Sequence, residues 1–241
     1  MIFFDKAGKE TRRVKIDGIP VSLDLISSGR ILLCFDKRAA LLDSKGRTVL
    51  NLDSFSDDSR LTAAVVSGNL IYVADAGKRV LFQYSMDGKK IMDIGGRHPA
   101  TGAEGFIIPS AAFDVIPVGE GTVWAVNSGR HQLDHYGADG RLISAWNAPA
   151  VGIGGFSGCC NPVRIALLPN GDFVTAEKHI VRVKVYSPAG RFKCVVASPS
   201  QFEKNAQILD VATDSDGKIY VIDSVTGAVR VFARKGTPGF R

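Results

Sequence analysis

The chain has 241 residues, 45% hydrophobic and 22% charged, with 26 glycines and a formal net charge of +6. That hydrophobic share excludes an intrinsically disordered chain, and the length suits one all-β domain over residues 1–241. No run approaches about 18 uninterrupted apolar residues, which excludes an ordinary membrane-spanning helix, and Met1-Ile-Phe-Phe-Asp5 is too short for a signal-peptide core.

Residues 1–16 open the chain as a hairpin. Ile2-Phe-Phe-Asp-Lys-Ala-Gly8-Lys9 reads as a third strand with its turn, and Arg12 to Ile16 as a fourth. The next repeat, 21–52, holds Ile31-Leu-Leu-Cys-Phe-Asp36 and Leu42-Asp-Ser-Lys-Gly46-Arg47. Repeat 61–96 is clearer, with Leu70-Ile-Tyr-Val-Ala-Asp75 leading to Tyr84-Ser-Met-Asp-Gly88-Lys89. Repeat 111–147 follows, with Val123-Trp-Ala-Val-Asn127 and Tyr136-Gly-Ala-Asp-Gly140-Arg141. Then come Phe173-Val-Thr-Ala-Glu177 with Tyr186-Ser-Pro-Ala-Gly190-Arg191 in 161–197, and Ile219-Tyr-Val-Ile-Asp223 with Phe232-Ala-Arg-Lys-Gly236 in 207–236.

The turn glycines at 8, 46, 88, 140, 190 and 236 are spaced by 38, 42, 52, 50 and 46 residues. A four-stranded blade needs about 40–50 residues, so each gap is one blade of a β-propeller. The segments are short, apolar and rich in Val, Ile, Tyr and Phe, with no helical period, which excludes helical repeats and a βαβ fold. The predicted fold is an all-β propeller of four-stranded antiparallel blades. The reading prefers a six-bladed parent with an incomplete first blade. The alternative is a five-bladed ring in which Arg12 to Ile16 completes the last repeat, which supplies three strands of its own. Propellers seal their ring this way to hide two sheet edges.

The Ile-Tyr-Val-Ala-Asp75 strand end, the Gly77-Lys78-Arg79 turn and the Tyr84 to Lys89 hairpin resemble the NHL-repeat family of β-propellers over nearly the whole chain. The loop Gly155-Phe-Ser-Gly-Cys-Cys-Asn-Pro162 resembles a bacterial subgroup of that family, many of them exported. The resemblance implies a rigid propeller, with enzymes, protein binders and RNA binders all represented, so function must come from the site. It also implies an extracytoplasmic location if an upstream signal has been lost. This chain has Ser157 where the subgroup often has Cys, which weakens the case for a cysteine-ligated cofactor.

In an antiparallel blade, the turn between second and third strands lies at the same end as the connection to the next blade. Two long connections therefore share one face: 95–109, with Arg97, His98 and Phe106, and 147–162, with Phe156, Cys159 and Cys160. Long loops on a compact scaffold are commonly functional. Asp36, Asp75, Asn127, Glu177 and Asp223 end second strands at that face and suit hydrogen bonding of tight turns. Ligand-contact candidates are Arg97, His98, Phe106, Phe156, Cys159, Cys160, Arg164, Glu177 and His179.

Asp24, Thr62, Asp114, Arg164 and Asp210 share one position on the innermost strands. Asp24, Asp114 and Asp210 could hold a divalent cation in a central channel, or pair with Arg164 without a metal. No cofactor is otherwise expected. Cys34 and Cys194 lie in apolar strands and read as buried thiols. Cys159 and Cys160 are ordinary thiols, a vicinal disulfide or part of a metal site; no Cys-x-x-Cys pair or nearby His supports the last. His131 and His135 are about 13 Å apart along a strand and cannot chelate one ion together. His135 reads as a packed core histidine.

Basic residues cluster near both termini and in the fourth full repeat, but aromatic residues do not interleave with them as a stacking surface requires. The preferred reading is a monomeric, non-catalytic scaffold that binds a protein or small ligand on the loop face. Its alternatives are a metal-dependent hydrolase or lyase using channel carboxylates, and an RNA-binding module.

Overall fold

The structure is a computed structural model, and it describes residues 1–5, 7–26, 28–52, 55–96 and 105–235, leaving aside the side chains of 208 and 209. The chain begins with a hairpin of β1 (Ile2–Phe4) and β2 (Glu10–Arg13). Five blades follow. Blade one is β3 (Ser22–Leu25), β4 (Ile31–Cys34), β5 (Ala39–Leu42) and β6 (Thr48–Leu52). Blade two is β7 (Leu61–Ser67), β8 (Leu70–Asp75), β9 (Val80–Ser85) and β10 (Lys90–Ile94). Blade three is β11 (Val115–Gly119), β12 (Thr122–Asn127), β13 (Gln132–Tyr136) and β14 (Leu142–Asn147). Blade four is β15 (Arg164–Leu167), β16 (Phe173–Glu177), β17 (Arg182–Tyr186) and β18 (Phe192–Ala197). Blade five has three strands, β19 (Ile208–Thr213), β20 (Ile219–Asp223) and β21 (Val229–Phe232).

Every blade is an antiparallel meander whose sheet order follows chain order. The only helical pieces among the described residues are two three-residue 3₁₀ turns, Ser128–Arg130 and Pro199–Gln201. The recurring glycine has a plain cause: Gly46, Gly88, Gly140 and Gly190 sit at φ +83, +85, +76 and +74° in the turns between third and fourth strands. A side chain there would be strained.

Five blades stand where the sequence reading preferred a six-bladed parent. In the described residues β2 pairs with β1 rather than supplying blade five with a fourth strand. The hairpin instead packs on blade one. Met1, Phe3 and Ile16 cover Ile31, Leu33, Phe35, Ala40 and Leu42, and Arg12 donates to Ser44 O. Burial explains the preference, because Phe3 of β1, with Met1 and Ile16 beside the hairpin, finds a ready partner in β4 and β5, all of whose residues are buried.

The core is laminated. One apolar layer lies between the hairpin and blade one, and others lie between blades one and two, two and three, three and four, and four and five. Polar side chains on the inner strands cross the same boundaries. Asp24 Oδ2 accepts from Val66 N at 2.8 Å, Thr62 Oγ1 donates to Phe113 O at 2.5 Å and Asp114 Oδ2 accepts from Ile165 N at 2.8 Å. Thr213 Oγ1 donates to Leu167 O. The channel position read from the sequence is thus largely a set of staples between neighbouring blades.

Candidate functional site: a cationic cavity beside two adjacent thiols

Residues 105–109 and the 147–162 connection both reach the turn between β12 and β13. Ile107 N donates to Asn127 Oδ1 at 2.9 Å, and Ala148 N to His131 O at 3.0 Å. Asn161 clamps the second connection to blade four, with Oδ1 accepting from Lys178 N at 2.9 Å and Nδ2 donating to Lys178 O at 3.2 Å. His131 Nδ1 lies 3.0 Å from Asn161 O.

Phe106 and Phe156 hold these connections down. Phe106 is buried against Phe113, with ring centroids 4.6 Å apart, and against Tyr136 at 5.6 Å. Phe156 is buried between Tyr186 at 5.1 Å and Trp146 at 5.9 Å. Both are core anchors here. Arg97 and His98 lie outside the described residues.

Glu177 is fully buried, and it departs from its equivalents. Asp75 accepts from the Arg60 and Lys78 amides, and Asp223 from the Val225 and Thr226 amides, as turn-closing carboxylates do, while Asp223 also pairs with Arg230 at 2.8 Å. The longer Glu177 side chain reaches two cations instead: Arg182 at 2.5 Å and Lys184 at 2.5 Å. Lys184 is itself fully buried. It donates to Gly155 O at 2.6 Å and Ile153 O at 3.2 Å, and its ammonium lies 5.0 Å from the Phe156 ring centre. Arg182 donates to Ser157 Oγ at 2.9 Å. Burial pushes the Lys184 pKa down, while Glu177 opposes the shift. The triad therefore bolts residues 153–157 to blade four.

A cavity of about 580 Å³ opens beside this loop, between blades three, four and five. Ser110, Arg164, Lys178, His179, Asn205 and Gln207 line it. Two of these, His179 and Asn205, take left-handed backbone at φ +67 and +68°. Non-glycine residues held in such conformations concentrate at ligand sites. Lys178 Nζ donates to Ser110 Oγ at 2.8 Å rather than to a carboxylate. Arg164 lies 3.9 Å from Asp210. Asp114 is buried near the same guanidinium; desolvation raises its pKa to about 6 against the pull of Arg164, with Asp210 adding to the rise. Asp210, whose side chain is 51% exposed, is raised too, mainly by partial desolvation and against the pull of Arg164. Asp24 is occupied as a blade staple. Among the described residues, no three His, Cys, Asp or Glu side chains gather as a metal-binding group.

Cys159 and Cys160 lie next to Lys178 and Ser110 of the cavity lining, with their Sγ atoms 2.9 Å apart and both thiols free. Cys159 is exposed and Cys160 buried. Burial works against ionisation of Cys160, but the Cys159 thiol, the Lys178 ammonium and the Ser110 hydroxyl together outweigh it and lower its pKa. The bond to Cys160 raises that of Cys159. Elsewhere, Cys34 is buried, and desolvation with the Asp75 and Asp36 carboxylates pushes its thiol up to about 12. Cys194, expected in the core, is exposed because β18 is the outer strand of its blade. His135 stacks on Trp124 with ring centres 4.7 Å apart, away from the cavity.

Sequence reasoning singled out Arg164, His179, Cys159 and Cys160, which the structure brings to one place. It missed Ser110, Lys178, Asn205 and Gln207 as lining residues and Lys184 as the loop's internal support. Among the described residues, no helix is long and apolar enough to cross a membrane.

This arrangement belongs to the β-propeller class. The chain is similar to the WD40 β-propeller domain of Doa1, with 21% identity and a TM-score of 0.65 over 90% of this chain and 64% of that one. It is also similar to virginiamycin B lyase from Staphylococcus aureus (9% identity, TM-score 0.61, 90% of this chain and 71% of that chain). A protein of unknown function from Bacteroides caccae gives 14% identity and a TM-score of 0.62, over 90% of this chain and 76% of that one. The chain spans just under two thirds of the Doa1 structure. At these identities the likeness concerns the fold alone. No protein-family model matches the chain, and no curated protein does.

Proposed function

We propose that the protein is a non-catalytic binding propeller of the NHL type, and that its loop face takes a ligand through a carboxylate or phosphate group. The observation that carries this reading is the cavity lined by Arg164, Lys178 and His179 with the neutral donors Ser110, Asn205 and Gln207. Guanidinium and ammonium groups with hydroxyl and amide donors form the usual chemistry of anion recognition. The volume suits a small molecule or the end of a peptide. Asn161 supports a preformed site, since its side chain holds the backbone of Lys178, which lines the cavity, before any ligand arrives.

Titration calorimetry with citrate, inorganic phosphate and uncharged analogues tests the proposal. An anion should bind, and Lys178→Met should weaken it about tenfold, or about 1.4 kcal/mol. Equal heats from charged and uncharged compounds, or no effect of Lys178→Met, would sink the reading.

A further inference from the structure

We propose that Cys159 and Cys160 form a thiol–disulfide exchange site for a small anionic disulfide whose acidic group is held by the neighbouring cavity. The second half of this statement rests on the anion-binding reading above; the first half stands on the thiols alone.

The two sulfurs are 2.9 Å apart on a loop clamped on both sides. On one side the Lys184 ammonium holds Gly155 O, and on the other Asn161 grips the Lys178 backbone. Their environments divide the work. Cys159 is exposed and can meet an incoming disulfide. Cys160 is covered and touches Lys178 and Ser110, which favour its thiolate. An accessible thiol that meets the disulfide, with a second thiol whose thiolate is favoured beside it, can carry out two-step exchange; because the hydrogen bond to Cys160 raises the pKa of Cys159, the first attack is the slower step and the resolving one the faster. Lys178 and Ser110 also line the cavity, so a disulfide anchored there by an acidic group lies next to the thiols. The other two cysteines lack this pairing: Cys34 is fully buried, and Cys194 is alone on β18.

The steps balance. Cys159 loses its proton to solvent, and its sulfur attacks one sulfur of R–S–S–R, forming a mixed disulfide and expelling RS⁻. The Cys160 thiolate then attacks the Cys159 sulfur, forming the Cys159–Cys160 bond and expelling the second RS⁻. Two thiols are oxidised, one external disulfide is reduced, and two RSH form after protonation.

The test uses the full chain carrying Cys194→Ser, which removes the other exposed thiol. Oxidised glutathione is the anionic probe and cystamine the cationic one, with products read by intact mass and released thiol. The expected result is loss of two hydrogens from the protein and release of two thiols per chain. Cys160→Ser should stop at the mixed disulfide; Cys160→Ala serves if the serine variant does not fold. Cys159→Ser should stay reduced over the same interval. If the parent keeps both thiols with either probe, or if Cys159→Ser forms the adduct as fast as the parent, the exchange site is wrong. The cavity is tested separately by the rate ratio of oxidised glutathione to cystamine. Relative to the urea-unfolded chain, that ratio should be about tenfold higher at low salt and fall toward unity near 0.5 M salt, where exposed charges are screened. A ratio equal to that of the unfolded chain, with oxidation still complete, overturns the anion reading while leaving the exchange site in place.

Discussion

Replacing Glu177 by Gln tests the support beneath the site. Glu177 is the one anion in a buried group with two cations, Arg182 and Lys184, at 2.5 Å each. Gln keeps the shape and removes the charge. Two cations then remain buried with carbonyls and aromatic faces as their partners. Stripping the counter-charge from a buried pair costs about 3–5 kcal/mol. For a domain of this size each kcal/mol lowers Tm by about 2–4 °C, so the drop should be about 6–20 °C. Lys184→Met behaves differently. It leaves Glu177 paired with Arg182 and deprives Gly155 O and Ile153 O of their donor, for a loss of about 1–3 kcal/mol. The double variant retains one cation, so it should be no less stable than Glu177→Gln alone, a coupling that additive contacts cannot give. The assay is thermal unfolding followed by circular dichroism, with alkylation of Cys160 as a local readout. The loop should loosen and Cys160 should react faster in Glu177→Gln. A Tm within 2 °C of the parent, or a double variant at the sum of the two losses, would refute the reasoning (both thresholds approximate).

Asp114 sets a pH dependence. Its folded pKa is raised to about 6 from 3.8, so its contribution to stability is complete below about pH 4 and is lost as pH rises through 6. Asp114→Asn keeps an acceptor for Ile165 N; its stability relative to the parent should therefore rise between pH 4 and 7.5, by up to about 3 kcal/mol from a shift of roughly two units, and a flat difference in urea titrations would contradict this. Removing residues 1–16 uncovers Ile31, Leu33, Phe35, Ala40 and Leu42. At about 1.5–3 kcal/mol per large apolar side chain, exposing two of them should lower Tm by about 6–12 °C or more; an unchanged Tm in a monomeric product would show that the hairpin is dispensable.

Much of the fold was legible because a blade is a local object. Its four strands are consecutive, its turn needs a glycine at positive φ, and both facts recur at a fixed period. The fate of residues 1–16 was not legible, since packing against blade one and pairing with blade five satisfy the same pattern of apolar residues. At the site, the equivalence of strand ends placed Glu177 correctly but suggested a turn acceptor. Arg182-Val-Lys-Val-Tyr186 alternates like a strand with one wet face, yet all five residues are buried. The covering loop comes from an earlier part of the chain, and alternation within a strand carries no information about a lid. The adjacent thiols were visible as a pair, but the ease with which Cys160 ionises depends on Lys178 and Ser110, which lie 68 residues apart.

The inner-strand staples have a bearing on synthesis. Each joins a residue to a partner 42 to 55 positions away, in the next blade or, for Thr213, in the preceding one. As the chain emerges from its N-terminus, Asp24 and Asp114 stay without their acceptor role until the following blade appears, and each completed boundary leaves the next one open. Polar groups on an inner strand are costly to bury unmatched. Assembly by this route is directional, like a zip whose teeth engage one blade behind the leading end, and a pause in translation within any blade would hold the previous boundary unlatched.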